Sequence, residues 1–359
     1  MNLTKYKLGD LIVQRREKNN NYDVPIRGVS KDGFIRAKQQ DADTSIYNVF
    51  YKYDFVFNPA RMELNSIALN LEYEKALCSS LYEVFFIKDE SIVLPEFLNL
   101  HIKCDEFARH CDYIGLGSAR EYCRFANIAE FDILLPSIEA QQEIVEADRI
   151  IKTRIRLNEQ IIATLEATAQ TLYRKMFVDG IDKENLPDGW VNKSLSEIAT
   201  LKAGGDKPIE FSEVRTGCYN IPVYANGIEN KGIFGYTTRP TIKSKSITIS
   251  ARGTIGYCFL RKQPYVPIVR LIVVIPNDES YAQYLFYYLD AMNIKGSGSV
   301  QSQLTVPDME RFEIVLPPEE LTKEFSKQTE IIDKSIATYE LENEKLTELQ
   351  SLLLAKMGQ

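Results

Sequence analysis

PSIEAQQEIVEADRIIKTRIRLNEQIIATLEATAQTLYRKM, residues 136–176, returns in altered form as PPEELTKEFSKQTEIIDKSIATYELENEKLTELQSLLLAKM, residues 317–357. A constant offset of 181 relates the copies without a gap: Phe131 answers to Phe312, Pro136 to Pro317, Ile150-Ile151 to Ile331-Ile332, Ile155 to Ile336, Leu165 to Leu346, Leu172 to Leu353 and Lys175-Met176 to Lys356-Met357. Two copies are too few for a solenoid and point to a duplicated half-molecule.

Inside each copy the apolar groups recur with a heptad period. One seam of the first copy carries Ile144, Ile151, Asn158, Leu165 and Leu172, and the other Ile155, Ile162, Ala169 and Met176. The second copy sets Phe325, Ile332, Tyr339, Leu346 and Leu353 in the first seam, and Ile336, Asn343, Gln350 and Met357 in the other. Each helix is then about 60 Å long at 1.5 Å per residue. A stripe of that length exceeds what a small domain can cover, so two equal helices most simply cover each other as a coiled coil, and antiparallel pairing would give the molecule a pseudo-twofold axis. Asn158 and Asn343 in the seams read either as register devices or as locally solvated positions.

Ahead of each helix lies a variable segment. Tyr6 to Ile12 (Tyr-Lys-Leu-Gly-Asp-Leu-Ile) opens the first and Lys193 to Ala199 (Lys-Ser-Leu-Ser-Glu-Ile-Ala) the second. Tyr22 to Phe86 reads as strands with turns, for instance at Tyr47 to Phe57 and Leu81 to Ile87. A helix is predicted over Pro95 to Cys111, then a glycine loop at Gly115 to Arg120 and a strand at Phe131 to Leu135. The second segment repeats the plan in other residues: strands around Val223, Ile247 to Ile249, Tyr257 to Leu260 and Leu271 to Ile275, a helix at Tyr281 to Met292, a glycine loop at Gly296 to Gln301 and a strand at Phe312 to Leu316. Asp179 to Trp190 reads as a linker. The expected fold class is α+β, with boundaries at 1–137, 138–178, 179–190, 191–317 and 318–359. Framework pieces repeat while the interiors differ, which suits one scaffold carrying two independently varied reading heads.

With 359 residues, 45% hydrophobic and 26% charged, the chain has the composition of a soluble globular protein of two or three domains. No apolar signal core lies in Met1 to Asp10 and no run is long enough to span a membrane, so the expected compartment is the cytoplasm, with six reduced cysteines. His101, His110, Cys104, Cys111 and Cys123 lie close in sequence and invite a zinc reading; their spacing matches none of the common zinc arrangements, and core packing is the reading adopted, with no metal.

The net charge of −7 argues against nonspecific nucleic-acid binding, but the two helical segments hold six of those seven negative charges. Between Asn230 and Asn277 there is no Asp or Glu, while Lys231, Arg239, Lys243, Lys245, Arg252, Arg261, Lys262 and Arg270 fall there, interleaved with Phe234, Tyr236, Tyr257, Phe259 and Tyr265. A basic, acid-free stretch suits a surface facing phosphates, where each carboxylate would oppose counterion release. In the first segment Arg15, Arg16, Arg27, Lys31, Arg36, Lys38 and Arg61 are diluted by aspartates and carry a weaker signal. Arg120 and Arg124, beside the glycine loop, reach a DNA backbone or are simply solvated.

Catalytic signatures are missing. Asn58-Pro59 is followed by Ala60-Arg61 rather than by the Pro-Tyr of an adenine methyltransferase tetrapeptide, and the glycines at Gly204-Gly205 and Gly253 lack dinucleotide or Walker spacing. Two clustered histidines and scattered serines supply no nucleophile, base and orienting acid together.

The order of domain, long helix, domain, long helix resembles the specificity subunit of type I restriction-modification systems. The resemblance rests on Leu186-Pro-Asp-Gly-Trp190 with Leu195-Ser-Glu-Ile198, on Leu135-Pro-Ser-Ile-Glu-Ala-Gln-Gln-Glu-Ile144, on Ser250-Ala-Arg-Gly-Thr-Ile-Gly256 and on Asp54-Phe-Val-Phe-Asn-Pro-Ala-Arg61. It implies a noncatalytic reader of double-stranded DNA: two α/β target-recognition domains, each reading one half of a bipartite sequence, separated and joined by two long helices that pair as an antiparallel coiled coil. Two modification subunits carrying the methyl-transfer chemistry, with S-adenosylmethionine, are expected on the helices, and restriction subunits with translocase activity join some such complexes. The DNA contacts implied or suggested are Arg27, Arg36, Asn58, Arg61, Arg120, Arg124, Lys231, Arg239, Lys243, Lys245, Arg252, Thr254 and Arg270. Partner contacts are expected at Gln141, Gln142, Ile151, Leu165, Ile332 and Leu346. The second copy departs from the pattern, since Pro317-Pro-Glu-Glu-Leu-Thr-Lys323 lacks the Gln-Gln pair. The same scaffold also serves fused methyltransferase-nucleases of the type IIB kind, and a coiled-coil adaptor for proteins is a reading of a different class.

Phosphate contacts would set orientation and bidentate Arg, Asn or Gln contacts to base edges would set sequence choice. Two heads on one spacer read half-sites on one face of the duplex, near an integral number of turns apart. The base to be methylated is stacked and has to be flipped out by the partner.

Overall fold

In a computed structural model, residues 3–31, 33–37, 43–115, 122–292 and 303–357 are described. Contacts divide the chain into two units, Met1–Asn158 with Glu340–Gln359, and Glu159–Tyr339. The offset of 181 carries residues 138–158 onto 319–339, so each unit takes the first half of the helix that follows its own domain and the second half of the other helix.

The first unit runs β1 (Thr4–Lys7), α1 (Leu8–Leu11), β2 (Ile12–Arg15), β3 (Arg27–Ser30), β4 (Gly33–Arg36), β5 (Asn48–Tyr51), β6 (Phe55–Phe57), β7 (Ile67–Leu69), β8 (Lys75–Cys78), β9 (Glu83–Ile87), α2 (Pro95–His101), α3 (Asp105–Gly115), α4 (Phe125–Ala129), β10 (Asp132–Leu135) and the start of α5 (Ile138–Phe177). An antiparallel sheet has the order β2-β9-β6-β7, β1 closes on β10, and β3 pairs with β4 and β5 with β8. The single helix predicted over Pro95 to Cys111 is two, α2 and α3. The chain turns at Ile102 to Cys104, where Cys104 N–H donates to His101 O at 3.0 Å and so ends the first helix.

The second unit runs β11 (Val191–Ser194), α6 (Leu195–Ile198), β12 (Ala199–Ala203), β13 (Ile221–Tyr224), β14 (Ile233–Thr237), β15 (Ser246–Ile249), β16 (Cys258–Arg261), β17 (Val266–Pro267), β18 (Ile272–Pro276), α7 (Ala282–Ala291), α8 (Val306–Glu310), β19 (Glu313–Leu316) and the start of α9 (Glu319–Met357). Capping boxes set its short helices: the Ser194 hydroxyl and backbone meet Glu197 at α6, and Thr305 meets Asp308 at α8. The main sheet has the order β12-β18-β15-β16, β13 lies between β14 and β17, and β11 closes on β19.

Matched by position, the two main sheets are the same sheet: the strand after the first short helix, then the last strand before the helical segment, then a β-hairpin. The domain interiors therefore share a topology that their residues do not display. A second shared detail fixes the loop of that hairpin. Cys123 N–H donates to Pro59 O at 3.0 Å in one unit, and Leu304 N–H donates to Ala251 O at 3.0 Å in the other. Positions 123 and 304 are again 181 apart.

The core of the first unit gathers Leu8, Phe55, Phe57, Phe85, Phe97, Phe107, Phe131 and Ile133, with Ile144 and Val145 of α5 and Met357 of α9 packed against it. In the second unit Leu195, Ile247, Ile249, Val274, Tyr284 and Leu285 are covered by Tyr173 and Phe177 of α5 and Phe325 of α9. Along α5 positions 141, 144, 148, 151, 155, 158, 162, 165, 169, 172 and 176 are all buried or half-buried, as are their eleven counterparts on α9 from 322 to 357. That is the alternation of three and four residues that a heptad seam requires. In the first unit Gln350 Nε2 donates to Asp148 at 2.7 Å and Arg154 forms a two-bonded ion pair with Glu342 at 2.7 and 3.0 Å, so numbering rises on one helix as it falls on the other. Asn158 Nδ2 donates to Asn343 Oδ1 at 2.8 Å, and Asn158 is fully buried, which makes the register reading the one the structure supports over solvation.

Candidate nucleic-acid interface

In the second unit four connections meet at one end of the main sheet: residues 204–206 after β12, 225–232 between β13 and β14, 250–257 between β15 and β16, and 268–271 before β18. Gly204 and Gly205 exchange backbone bonds with Pro267, Val269, Arg270 and Leu271 at 2.8 to 3.2 Å. A Cβ on Gly204 would stand 2.9 Å from the Ile268 backbone, so this approach requires glycine. Val269 and Arg270 are both left-handed, with φ of 52° and 58°, a conformation that is a real outlier for a β-branched residue. Asn226 links the connections: its Nδ2 donates to Val269 O and its Oδ1 accepts from Ala251 N–H, each at 2.7 Å. A groove of about 420 Å³ opens here, lined among others by Asn226, Gly232, Phe234 and Thr254.

The eight cations of the acid-free stretch do not share one fate. Arg239, Lys243 and Arg270 are exposed and carry no ion pair among the described residues; Lys231 is exposed too. Arg252 is exposed on the β15–β16 loop and donates through Nε and Nη2 to Gln303 Oε1 at 3.1 and 2.7 Å, and Thr254 is exposed beside it. Lys245 pairs with Glu279 at 3.6 Å and Lys262 with Asp333, both acids lying outside the stretch. Arg261 is buried, only 6% exposed. Its guanidinium donates to Thr248 Oγ1 at 2.9 Å and to Lys231 O at 2.6 Å and lies 3.5 Å from the Tyr224 ring centroid. Burial pulls its pKa down to about 10, so it stays charged near neutrality. Arg261 is thus not the phosphate-facing cation that the charge pattern suggests. The rings of Tyr224 and Phe259, the Thr248 hydroxyl and the Lys231 carbonyl hold it, and composition does not show them.

In the first unit the β6–β7 loop carries Asn58 and Arg61, so these occupy the connection equivalent to that of Arg252 and Thr254. Asn58 Oδ1 accepts from Ala60 N–H at 3.1 Å and caps the turn Pro59–Leu64, while Arg61 is exposed. Arg36 is exposed at the end of β4. Arg27 is half-buried, donating to Tyr73 Oη at 2.8 Å and stacked on that ring. Arg124 is paired with Glu83 at 3.2 Å rather than simply solvated. Arg120, Lys38 and both glycine loops fall outside the described residues, apart from Gly115, the last residue of α3. Arg15 is held by the buried Asp54 at 2.6 Å, between the rings of Tyr51 and Phe86; burial pushes the Asp54 carboxyl upward against the pull of that arginine.

Of the six residues expected to meet partner proteins, all but Gln142 turn inward. Gln141 is fully buried, its Oε1 accepting from Leu94 N–H at 3.0 Å and its Nε2 donating to Ile92 O and Pro136 O at 2.9 and 3.0 Å. It fastens α5 to its own domain, whereas Gln142 is exposed. Ile151 is buried and Leu165, Ile332 and Leu346 are half-buried in the seam. The outward apolar residues are others, notably Ile150 (58% exposed) in the first unit and its counterpart Ile331 (68%) in the second.

His101 is buried, and burial holds its pKa down to about 4; His110 Nε2 lies 3.0 Å from Asn127 O. Cys111 and Cys123 are free thiols that share a hydrogen bond, which with burial pushes the Cys111 thiol up. Among the described residues no three of His, Cys, Asp or Glu gather as a metal set, and no helix is long and apolar enough to cross a membrane.

A family model described as the type I restriction modification DNA specificity domain matches residues 3–167 and again residues 187–351. A Mycoplasma pneumoniae chain named as a type I specificity subunit is 26% identical over 331 residues, covering 88% of this chain and 85% of that one. A second chain of that organism, named likewise, is 37% identical over 133 residues, and the match spans 37% of this chain and 40% of that relative. Among solved structures, the S subunit of a type I restriction-modification system from M. genitalium is similar with a TM-score of 0.63 at 16% identity, covering 99% of this chain and 96% of that one.

Proposed function

Because the chain belongs to the type I restriction modification DNA specificity family, whose noncatalytic subunits leave chemistry to others, we propose that each of its domains reads one half of a bipartite double-stranded target. The observation that carries this reading is the equivalent hairpin loop in each unit, held by a backbone bond whose donors, Cys123 and Leu304, stand 181 apart, yet filled with different residues, Asn58 and Arg61 in one and Arg252 and Thr254 in the other. One frame with two fillings is what reading two unlike half-sites requires. Two modification subunits dock on outward helix surfaces, one per unit. Ile150 and Ile331 support that stoichiometry, since an exposed apolar residue repeated in both units offers the same contact twice. S-adenosylmethionine and the flipped base then belong to the partners, and restriction subunits join the same assembly.

The test uses the chain assembled with its modification subunits on duplex DNA. Arg61→Ala and Arg252→Ala each weaken binding, by about 1 to 3 kcal/mol where a base edge is read, and log K falls linearly with log salt. Ile150→Glu and Ile331→Glu each remove one modification subunit. Affinity indifferent to salt and to both arginines would instead mark a protein adaptor.

A further inference from the structure

We infer that Asn226 is a positioning residue for sequence choice in the second domain, fixing the spacing of three reading loops through its carboxamide without touching DNA. The inference rests on the reading of that domain as a DNA reader. Both partners of the side chain are backbone groups of fixed polarity, a carbonyl at Val269 and an N–H at Ala251, so the amide has one orientation and both of its ends are used. Each partner stands directly before an exposed arginine, Arg252 in one case and Arg270 in the other. Asn226 itself begins the loop that ends at Lys231 and Gly232. One neutral side chain therefore sets the separation of three segments, each of which presents a cation.

The surroundings show that this geometry is imposed rather than relaxed. Val269, Arg270, Asn230 and Lys231 all hold left-handed backbone, which persists only where neighbouring contacts over-determine it. Arg261 supplies the second anchor, since its Nη2 bonds Lys231 O at 2.6 Å and its Nε bonds Thr248 of β15. The loop is thus held by Asn226 at its beginning and by Arg261 near its end. Bidentate contacts to base edges tolerate little displacement of the side chains that make them. Releasing the clamp lets Arg252, Arg270 and Thr254 drift while leaving every cation in place.

Salt dependence separates this role from direct contact. A residue on a phosphate lowers the slope of log K against log salt by about one when it is removed, whereas a positioning residue leaves the slope alone and lowers discrimination. The experiment uses the full chain with its modification subunits, the target read from methylation of a host genome, and duplexes carrying single base-pair changes in either half-site. Asn226→Ala lowers discrimination about ten-fold at one half-site and leaves the other unchanged, with the salt slope unaltered. Asn226→Asp keeps the acceptor for Ala251 N–H but sets a carboxylate oxygen against Val269 O, so it discriminates no better than Asn226→Ala. Arg261→Lys, which has no second nitrogen to bridge Thr248 and Lys231 O, loosens the same half-site. Retained discrimination in Asn226→Ala, a slope lowered by about one, or equal loss at both half-sites would each overturn the role. A wild-type complex that discriminates at neither half-site would instead refute the DNA-reading function itself.

Discussion

Gln141→Leu gives the sharpest test of how each long helix is fastened to its domain. The leucine keeps most of the volume but removes three hydrogen bonds, from Leu94 N–H at 3.0 Å and to Ile92 O and Pro136 O at 2.9 and 3.0 Å. At about 1 kcal/mol net for each bond, the first unit loses about 3 kcal/mol, and more if the deserted backbone groups stay dry. For a unit of this size that corresponds to a fall in Tm of about 6 to 12 °C. The offset position on α9 is Thr322, also fully buried, whose hydroxyl bonds, among the described residues, only Glu319 O of its own helix at 2.9 Å. Thr322→Val therefore has a smaller effect, about 1 kcal/mol. Gln142→Ala, on the exposed neighbour, leaves stability unchanged. Urea unfolding of the isolated chain, followed by far-ultraviolet circular dichroism, measures all three. A loss below about 1 kcal/mol in Gln141→Leu, or an equal loss in Gln142→Ala, would refute the assignment of Gln141 as a fastening and return it to the partner surface.

Two further outcomes follow from the buried polar groups. Asn158→Leu or Asn343→Leu alone leaves one carboxamide facing an apolar side chain, so a double-mutant cycle by denaturant unfolding gives a coupling of about 1 kcal/mol, and strict additivity would mean that the pair sets no register. His101, neutral in the fold with its pKa near 4 and with no partner for Nδ1 among the described residues, takes up a proton more readily when unfolded, where its pKa is about 6.5. Its contribution to stability is complete above pH 6.5 and declines as the pH falls toward 4, by about 3 kcal/mol in all. Melting profiles between pH 7 and 5 should therefore be flatter for His101→Phe than for the native chain, and parallel profiles would exclude His101 as the source.

What the sequence made legible was whatever repeats in residue identity or in period. The offset of 181 and the heptad seams fix α5 and α9 to within a residue or two of their observed ends, because a long helix must keep one stripe covered over its whole length. The common sheet order of the two domains stayed hidden, since topology depends on which strands pair and many residue sets satisfy the same pairing. Side-chain direction was the other gap. Nothing in the sequence around Gln141 or Arg261 announces that each side chain is buried and bonded to backbone groups of a distant segment, Ile92 and Leu94 for Gln141 and Lys231 for Arg261. Arg261 does end β16, a strand whose Cys258 is buried, and a charged residue closing an otherwise apolar strand was the available hint. Asn226 carried a weaker one: it stands in an Asn-Gly pair, which marks a turn but not the two loops the side chain would join.

Single-molecule methylation sequencing of a host that carries this chain with its cognate modification subunits bears most directly on the two-headed reading. The duplicated frame predicts a split motif, two unlike specified halves separated by a fixed stretch in which any base is accepted, and replacement of residues 191–317 by the corresponding domain of another member should change one half alone. A contiguous motif, or a split motif whose halves both survive that replacement, would contradict it.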